Sequence, residues 1–154
     1  MEKVVNRLIE LNKTISTMES CTGGALVNSI TNIPDSSKVI KFSAVTYSNE
    51  FKIKMGVSEE IINKYSVYSM EVANEMSKCI SNFTNSDYGI GITGKLNKKD
   101  EANLYGDDST VFISIYIKET NEFINNTIKV DKATRSENKE LIINYIKDKL
   151  LEVL

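Results

Sequence analysis

Apolar positions along this chain recur with two periods, one helical and one alternating. Val4, Val5, Leu8, Ile9 and Leu11 share a helical face, which predicts an opening helix over residues 2–12. Thr14-Ile15-Ser16-Thr17-Met18 is short and β-branched, a strand pattern. Glu19-Ser20-Cys21-Thr22 breaks it, and Gly23-Gly24 leads into helical spacing at Ala25, Leu26, Val27 and Ile30, ending near Thr31-Asn32. A loop follows at 33–37, holding the only proline, Pro34. Val39 to Thr46 alternates imperfectly and reads as a second strand. Ser48 or Asn49 can cap a short helix through Met55, with Gly56 ending it, and Ser58-Glu59-Glu60 starts another that includes Ile61 and Ile62.

The strongest helical pattern runs from Ser69 to Phe83, with Ser69 as N-cap and Val72, Ala73, Met76, Cys79, Ile80 and Phe83 as its apolar stripe. Asp87 to Thr93 reads as a strand, and Lys95 to Asp108 as a polar, exposed excursion. Thr110–Lys118 and Glu122–Val130 form an expected antiparallel hairpin that turns at 119–121. A closing helix from Thr134 to Leu154 buries Leu141, Ile142, Tyr145, Ile146 and Leu150. Helices flanking a mixed, five-stranded sheet are the simplest arrangement of these elements, an α/β class. Without a repeat, linker or low-complexity segment, residues 1–154 read as one domain.

Composition narrows the function more than the fold. The net charge of −2 supplies no electrostatic footprint for nucleic acid. No apolar run approaches the ~18–20 residues of a membrane span, and the charged N-terminus lacks a signal-peptide core. Two cysteines, Cys21 and Cys79, do not make a disulfide framework, so a reduced, cytoplasmic setting is expected. There is no histidine. That excludes a Ser-His-Asp triad, a Cys-His dyad and a His-containing zinc site within this chain. Any general base must be Lys, Tyr, Asp, Glu or Cys.

Three strand ends carry candidate chemistry. They are Ser20, Cys21 and Thr22; then Tyr47, Ser48, Asn49 and Lys52; then Thr93 and Gly94. In an open α/β sheet, such ends converge on one crevice. Backbone N–H groups at the helix start near Gly23-Gly24 can hold an anion or an oxyanion, although Ser20 or Thr22 serving only as a cap is an equal reading. A serine hydroxyl needs a base, and without histidine a desolvated Lys52 is the natural one, with Tyr47 relaying a proton or holding the lysine. The backbone amides after Ser20 would then form the oxyanion hole. Cys21 reads as a small buried hydrophobe rather than a thiolate nucleophile. Glu19 is either a site carboxylate or a local cap.

Six blocks in this order resemble the C-terminal domain family of the competence/damage-inducible protein CinA. They are Glu19 to Gly24, Pro34 to Ser37, Val45 to Lys52, Gly56-Val57, Val67-Tyr68-Ser69 and Gly91 to Gly94. The resemblance covers nearly the whole chain. It implies a three-layer α/β/α sandwich and a nicotinamide-nucleotide amidohydrolase. Such an enzyme deamidates nicotinamide mononucleotide to nicotinate mononucleotide and ammonia, in pyridine-nucleotide salvage, with no metal or cofactor.

The matching positions imply Ser20 as nucleophile and Lys52 as base with Tyr47 assisting. Cys21, Thr22, Gly23, Gly24, Ser48, Asn49, Thr93, Gly94 and Arg135 would contact substrate. The phosphate would go to Arg135 or to the helix end at Gly23-Gly24; a solvated Arg135 is the competing reading. A small-molecule nucleotide is the expected partner, without nucleic acid or membrane, and a homo-oligomer is compatible with the sequence.

Two departures stand out. The family's glycine- and proline-rich loop after Thr93-Gly94 is here Lys95-Leu96-Asn97-Lys98-Lys99-Asp100, and Ala133-Thr134 precede Arg135 where the family has glycine and aspartate. These leave two alternatives open, a different small amide substrate or a non-catalytic binding module.

Overall fold

A computed structural model describes residues 1–154. In chain order the elements are α1 (Glu2–Glu10), β1 (Ile15–Glu19), α2 (Ala25–Thr31), a 3-10 turn (Ser36–Lys38), β2 (Ser43–Val45), α3 (Asn49–Lys54), α4 (Glu59–Tyr65), α5 (Met70–Thr84), β3 (Tyr88–Gly94), β4 (Thr110–Ile117), β5 (Glu122–Lys129) and α6 (Arg135–Val153). The sheet order is β2-β1-β3-β4-β5. β1 pairs parallel with β2 and β3, while β3–β4 and β4–β5 are antiparallel. The parallel strands therefore end together, which brings Ser20, Thr46 and Gly94 to one edge of the sheet.

Alternation along the strands assigns the two faces. Ile15, Ile90, Ile92, Val111, Ile113 and Ile115 join Val4, Val5 and Leu8 of α1, Leu26 and Ile30 of α2, and Ile142, Ile146 and Leu150 of α6 in the larger core. Met18 faces the other way, into a smaller core with Val57, Ile62, Val72, Met76 and Ile80 around α4 and α5. The fold is thus an α/β/α sandwich. β3 carries glycines on its α5 face because the helix backbone lies against it. A Cβ at Gly89 would sit 2.0 Å from the Ser77 carbonyl oxygen, and one at Gly91 would sit 2.2 Å from that of Ala73. No helix is long and apolar enough to cross a membrane.

Caps follow the sequence pattern. Ser48, Ser58 and Ser69 each accept an N–H from the first turn of α3, α4 and α5, and Thr134 with Glu137 forms a reciprocal capping box on α6. Four expectations change. The second strand shrinks to three residues, because the 3-10 turn intervenes and Val39 enters the core as loop, its carbonyl accepting the Ile15 N–H. Phe83 lies outside its helix's buried stripe, 66% exposed and tilted against Phe42, while Cys79 is only half-buried. On α6, Leu141 and Tyr145 are only partly buried, and the buried Asn138 instead bonds the backbone of Lys132 through both amide atoms. Lys95 and Leu96 are buried, so the segment after β3 is not wholly an exposed excursion.

Candidate active site

Ser20 extends β1, its N–H donating to the Ile92 carbonyl, and the chain then turns through Gly23 and Gly24 at φ 61° and 92°. Those left-handed conformations favour glycine and let α2 start directly behind the serine. Alternation sends the side chain of Glu19 under α2. Its carboxylate accepts from the hydroxyls of Thr17 (3.2 Å) and Thr22 (2.7 Å) and from the N–H groups of Gly24 (3.1 Å), Leu26 (3.1 Å) and Val27 (2.8 Å). The helix N-terminus, for which the sequence leaves an external anion and a local cap as equal readings, is therefore filled by the protein's own carboxylate, a favourable use of the helix dipole. The N–H groups of Cys21 and Thr22 take no protein acceptor.

Lys52 lies in α3, one turn past its Ser48 cap, and is only 1% exposed. Its Nζ donates to the Thr46 carbonyl at 2.8 Å and lies 3.1 Å from Ser20 Oγ. No carboxylate is paired with it. Burial, the dominant influence, lowers its pKa to about 8, so roughly a tenth of it is neutral at pH 7 and about half at pH 8, far more than for an ordinary lysine. In that neutral form the Lys52 lone pair can accept the Ser20 O–H while an N–H still reaches Thr46. The neighbouring Cys21 is pushed by burial up to about 12, which keeps it a protonated thiol.

A cavity of about 520 Å³ opens over this pair. Among the residues singled out from the sequence, Ser20, Cys21, Tyr47, Ser48, Asn49, Lys52, Gly94 and Arg135 line it. Thr22, Gly23, Gly24 and Thr93 do not: Thr22 is spent on Glu19, and the fully buried Thr93 donates to the Val67 carbonyl at 2.8 Å. Tyr47, 66% exposed, makes no hydrogen bond to Ser20 or Lys52; its hydroxyl accepts from Arg135 Nη2 at 3.2 Å.

The remaining wall had no signal in the apolar pattern, because it is a folded loop. Lys95 is paired with Asp108 at 3.0 Å and stands over the Tyr68 ring at 5.2 Å. The Tyr68 hydroxyl donates to Asp100, which also accepts from Asn103 Nδ2 and the Ala102 N–H, both at 3.0 Å. Asn49 Nδ2 donates to Asn103 Oδ1 at 3.3 Å. The Tyr68 bond and its companions hold the Asp100 carboxyl below the usual range, while burial, and then Asp100, raise the Tyr68 hydroxyl. Lys98 and Lys99 complete this side.

An α/β/α sandwich with a serine–lysine pair at the carboxyl edge of its parallel strands defines a class suited to histidine-free acyl chemistry. The chain belongs to the CinA C-terminal domain family, whose model matches residues 1–154. It is 42% identical over 120 residues to a protein of Clostridium beijerinckii named as competence-damage inducible, a match covering 77% of this chain and 29% of that one. The match to a CinA-like protein of Endomicrobium trichonymphae is 46% over 88 residues, 56% of this chain and 21% of that one. The aligned segment thus spans about a quarter of these relatives. A crystal structure of a CinA superfamily protein from Escherichia coli superposes with a TM-score of 0.85 at 26% identity, covering 99% of this chain and 90% of that one. One from Klebsiella pneumoniae gives 0.89 at 22%, covering 98% and 92%, a likeness of fold.

Proposed function

We propose that this chain is an amidohydrolase that deamidates nicotinamide mononucleotide, with Ser20 as nucleophile and Lys52 as general base. The observation that carries it is the buried Lys52 amine 3.1 Å from Ser20 Oγ, with its pKa lowered and no acid to hold it charged. The reaction class is the one that the resemblance to the CinA C-terminal domain family implies, and membership of that family supports it.

In the first step neutral Lys52 takes the Ser20 proton as Oγ bonds to the carboxamide carbon. The carbonyl oxygen becomes an oxyanion, for which the N–H of Cys21, on the cavity wall beside Ser20, is the available donor. The Lys52 ammonium returns its proton to the amide nitrogen, the C–N bond breaks and ammonia leaves. Water, deprotonated by the again neutral Lys52, then attacks the Ser20 ester; the Lys52 ammonium gives that proton to Ser20 Oγ as the ester C–O bond breaks, and nicotinate mononucleotide leaves. Tyr47 takes a different place from the one the sequence suggested. Through Arg135 it serves the substrate side of the cavity rather than the base.

Ammonia release from nicotinamide mononucleotide by wild type and by Ser20→Ala tests this reading. Turnover by the first and none by the second supports it; no turnover by folded wild type overturns it. One observation favours a second reading, another small amide as substrate. The wall from Lys95 to Asn103 departs from the family's glycine-rich loop while the Ser20–Lys52 pair is kept. A screen of small amides for ammonia release distinguishes the two, and release from none would leave a binding module.

A further inference from the structure

A negatively charged ligand has no free place at the start of α2. The N–H groups of Gly24, Leu26 and Val27 all donate to Glu19. Positive charge collects elsewhere in the same cavity. Five basic side chains line it (Lys52, Lys95, Lys98, Lys99 and Arg135) against one acid, Asp100, in a chain whose net charge is −2. Asp100 is already engaged by Tyr68 and Asn103, and Lys95 is neutralised by Asp108. Lys98, Lys99 and Arg135 take part in none of the chain's ion pairs.

We infer that Lys98 and Lys99, together with Arg135, form a subsite for a phosphomonoester. Three uncompensated cations around one cavity repel one another. A carboxylate offsets a single charge, whereas a phosphomonoester near neutral pH carries about −1.5 to −2 with three acceptor oxygens. The Arg135 guanidinium supplies a planar fork of donors, and the two lysines supply point charges on flexible stems. The loop carrying them is pinned at two points, by Tyr68 on Asp100 and by Asn49 on Asn103, which sets the two exposed lysines at the rim of the cavity. The subsite rests on the amidase reading only for nicotinamide mononucleotide as the molecule that brings the phosphate.

The test is a titration of isotope-labelled protein with ribose 5-phosphate and with ribose, followed by backbone amide NMR. The expected result is saturable shifts at residues 97–103 and at Arg135 with the phosphorylated sugar alone. Lys98→Met/Lys99→Met should weaken that binding about tenfold, and raised salt should weaken it in wild type. Ribose moving the same amides equally, no response to ribose 5-phosphate, or undiminished binding by the double variant overturns the subsite.

Kinetics separate this from the enzymatic reading. In the double variant the preference for nicotinamide mononucleotide over nicotinamide riboside should fall about tenfold, through KM. Turnover with that preference intact overturns the subsite and leaves the amidase. Saturable ribose 5-phosphate binding without any turnover supports the subsite and overturns the amidase.

Discussion

The two walls of the cavity are held by different physics. The Ser20 turn is anchored from below by the five donors that converge on the buried Glu19 carboxylate, and its glycines occupy left-handed backbone. The facing loop, from Lys95 to Asp108, is held by Leu96 in the larger core, by the ion pairs Lys95–Asp108 and Lys129–Asp107, and by side-chain bonds to Tyr68 and Asn49. The first wall tolerates almost no change without moving Ser20. The second can exchange residues at its surface while the pair beneath it stays put. That difference lets the Ser20–Lys52 pair stay in place beneath a wall whose exposed residues can vary.

The largest expected effect lies on the first wall. Lys52→Met should lower kcat/KM by about 10³-fold, as loss of a general base does. It should also raise the midpoint of urea unfolding at pH 7, because a buried, acid-free amine is removed. Lower stability in that variant would contradict the desolvation account.

Next, Glu19→Gln should cost about 3 kcal/mol in urea unfolding, since a neutral amide can satisfy only part of that donor set and turns its own N–H₂ toward the rest. A loss below about 1 kcal/mol would show that the turn does not depend on the carboxylate.

The pH dependence sharpens the same contrast. Below about pH 8, kcat/KM should rise tenfold per unit and then level, because Lys52 acts only when neutral. Stability follows with a definite sign. Between about pH 8 and the ordinary lysine pKa of 10.5, the folded protein has released the Lys52 proton and the unfolded chain still holds it. Wild type should therefore gain stability relative to Lys52→Met across that window, closing the gap present below it. A gap independent of pH would refute the lowered pKa.

The facing wall should respond more weakly. Asp108→Asn leaves the buried Lys95 ammonium without its counter-charge and should cost about 1–2 kcal/mol, read by urea unfolding. Tyr68→Phe should change global stability by less than about 1 kcal/mol while speeding amide hydrogen exchange at residues 97–103, where the loop loses a peg. If Tyr68→Phe proves as destabilising as Glu19→Gln, the two walls are not built differently.

Much of this was legible along the chain because it is local. Ser48, Ser58, Ser69 and Thr134 cap their helices as their types and positions foretold, and the turn at 119–121 closes the expected hairpin. The Glu19–Gly24 and Tyr47–Lys52 blocks could be recognised from their order, and Ser20 and Lys52 do meet across 32 positions of sequence. Phe83 misled because helical spacing cannot say where the partner face ends; its ring stands against the exposed Phe42 and enters neither core. Val39 misled because an apolar residue can enter a core from a loop as readily as from a strand.

The sequence by itself determined the elements, their caps and the residues able to do histidine-free chemistry, since periodicity and hydrogen bonding within a few residues are encoded there. Only the tertiary structure decided that Glu19 fills the α2 N-terminus, that Thr93 turns inward to Val67, that Tyr47 meets Arg135, and that Lys95 is buried while Lys98 and Lys99 remain unpaired at the cavity. Burial and partnership are set by segments distant in sequence, and a side chain's charge or donor has no assigned partner until packing brings one within reach.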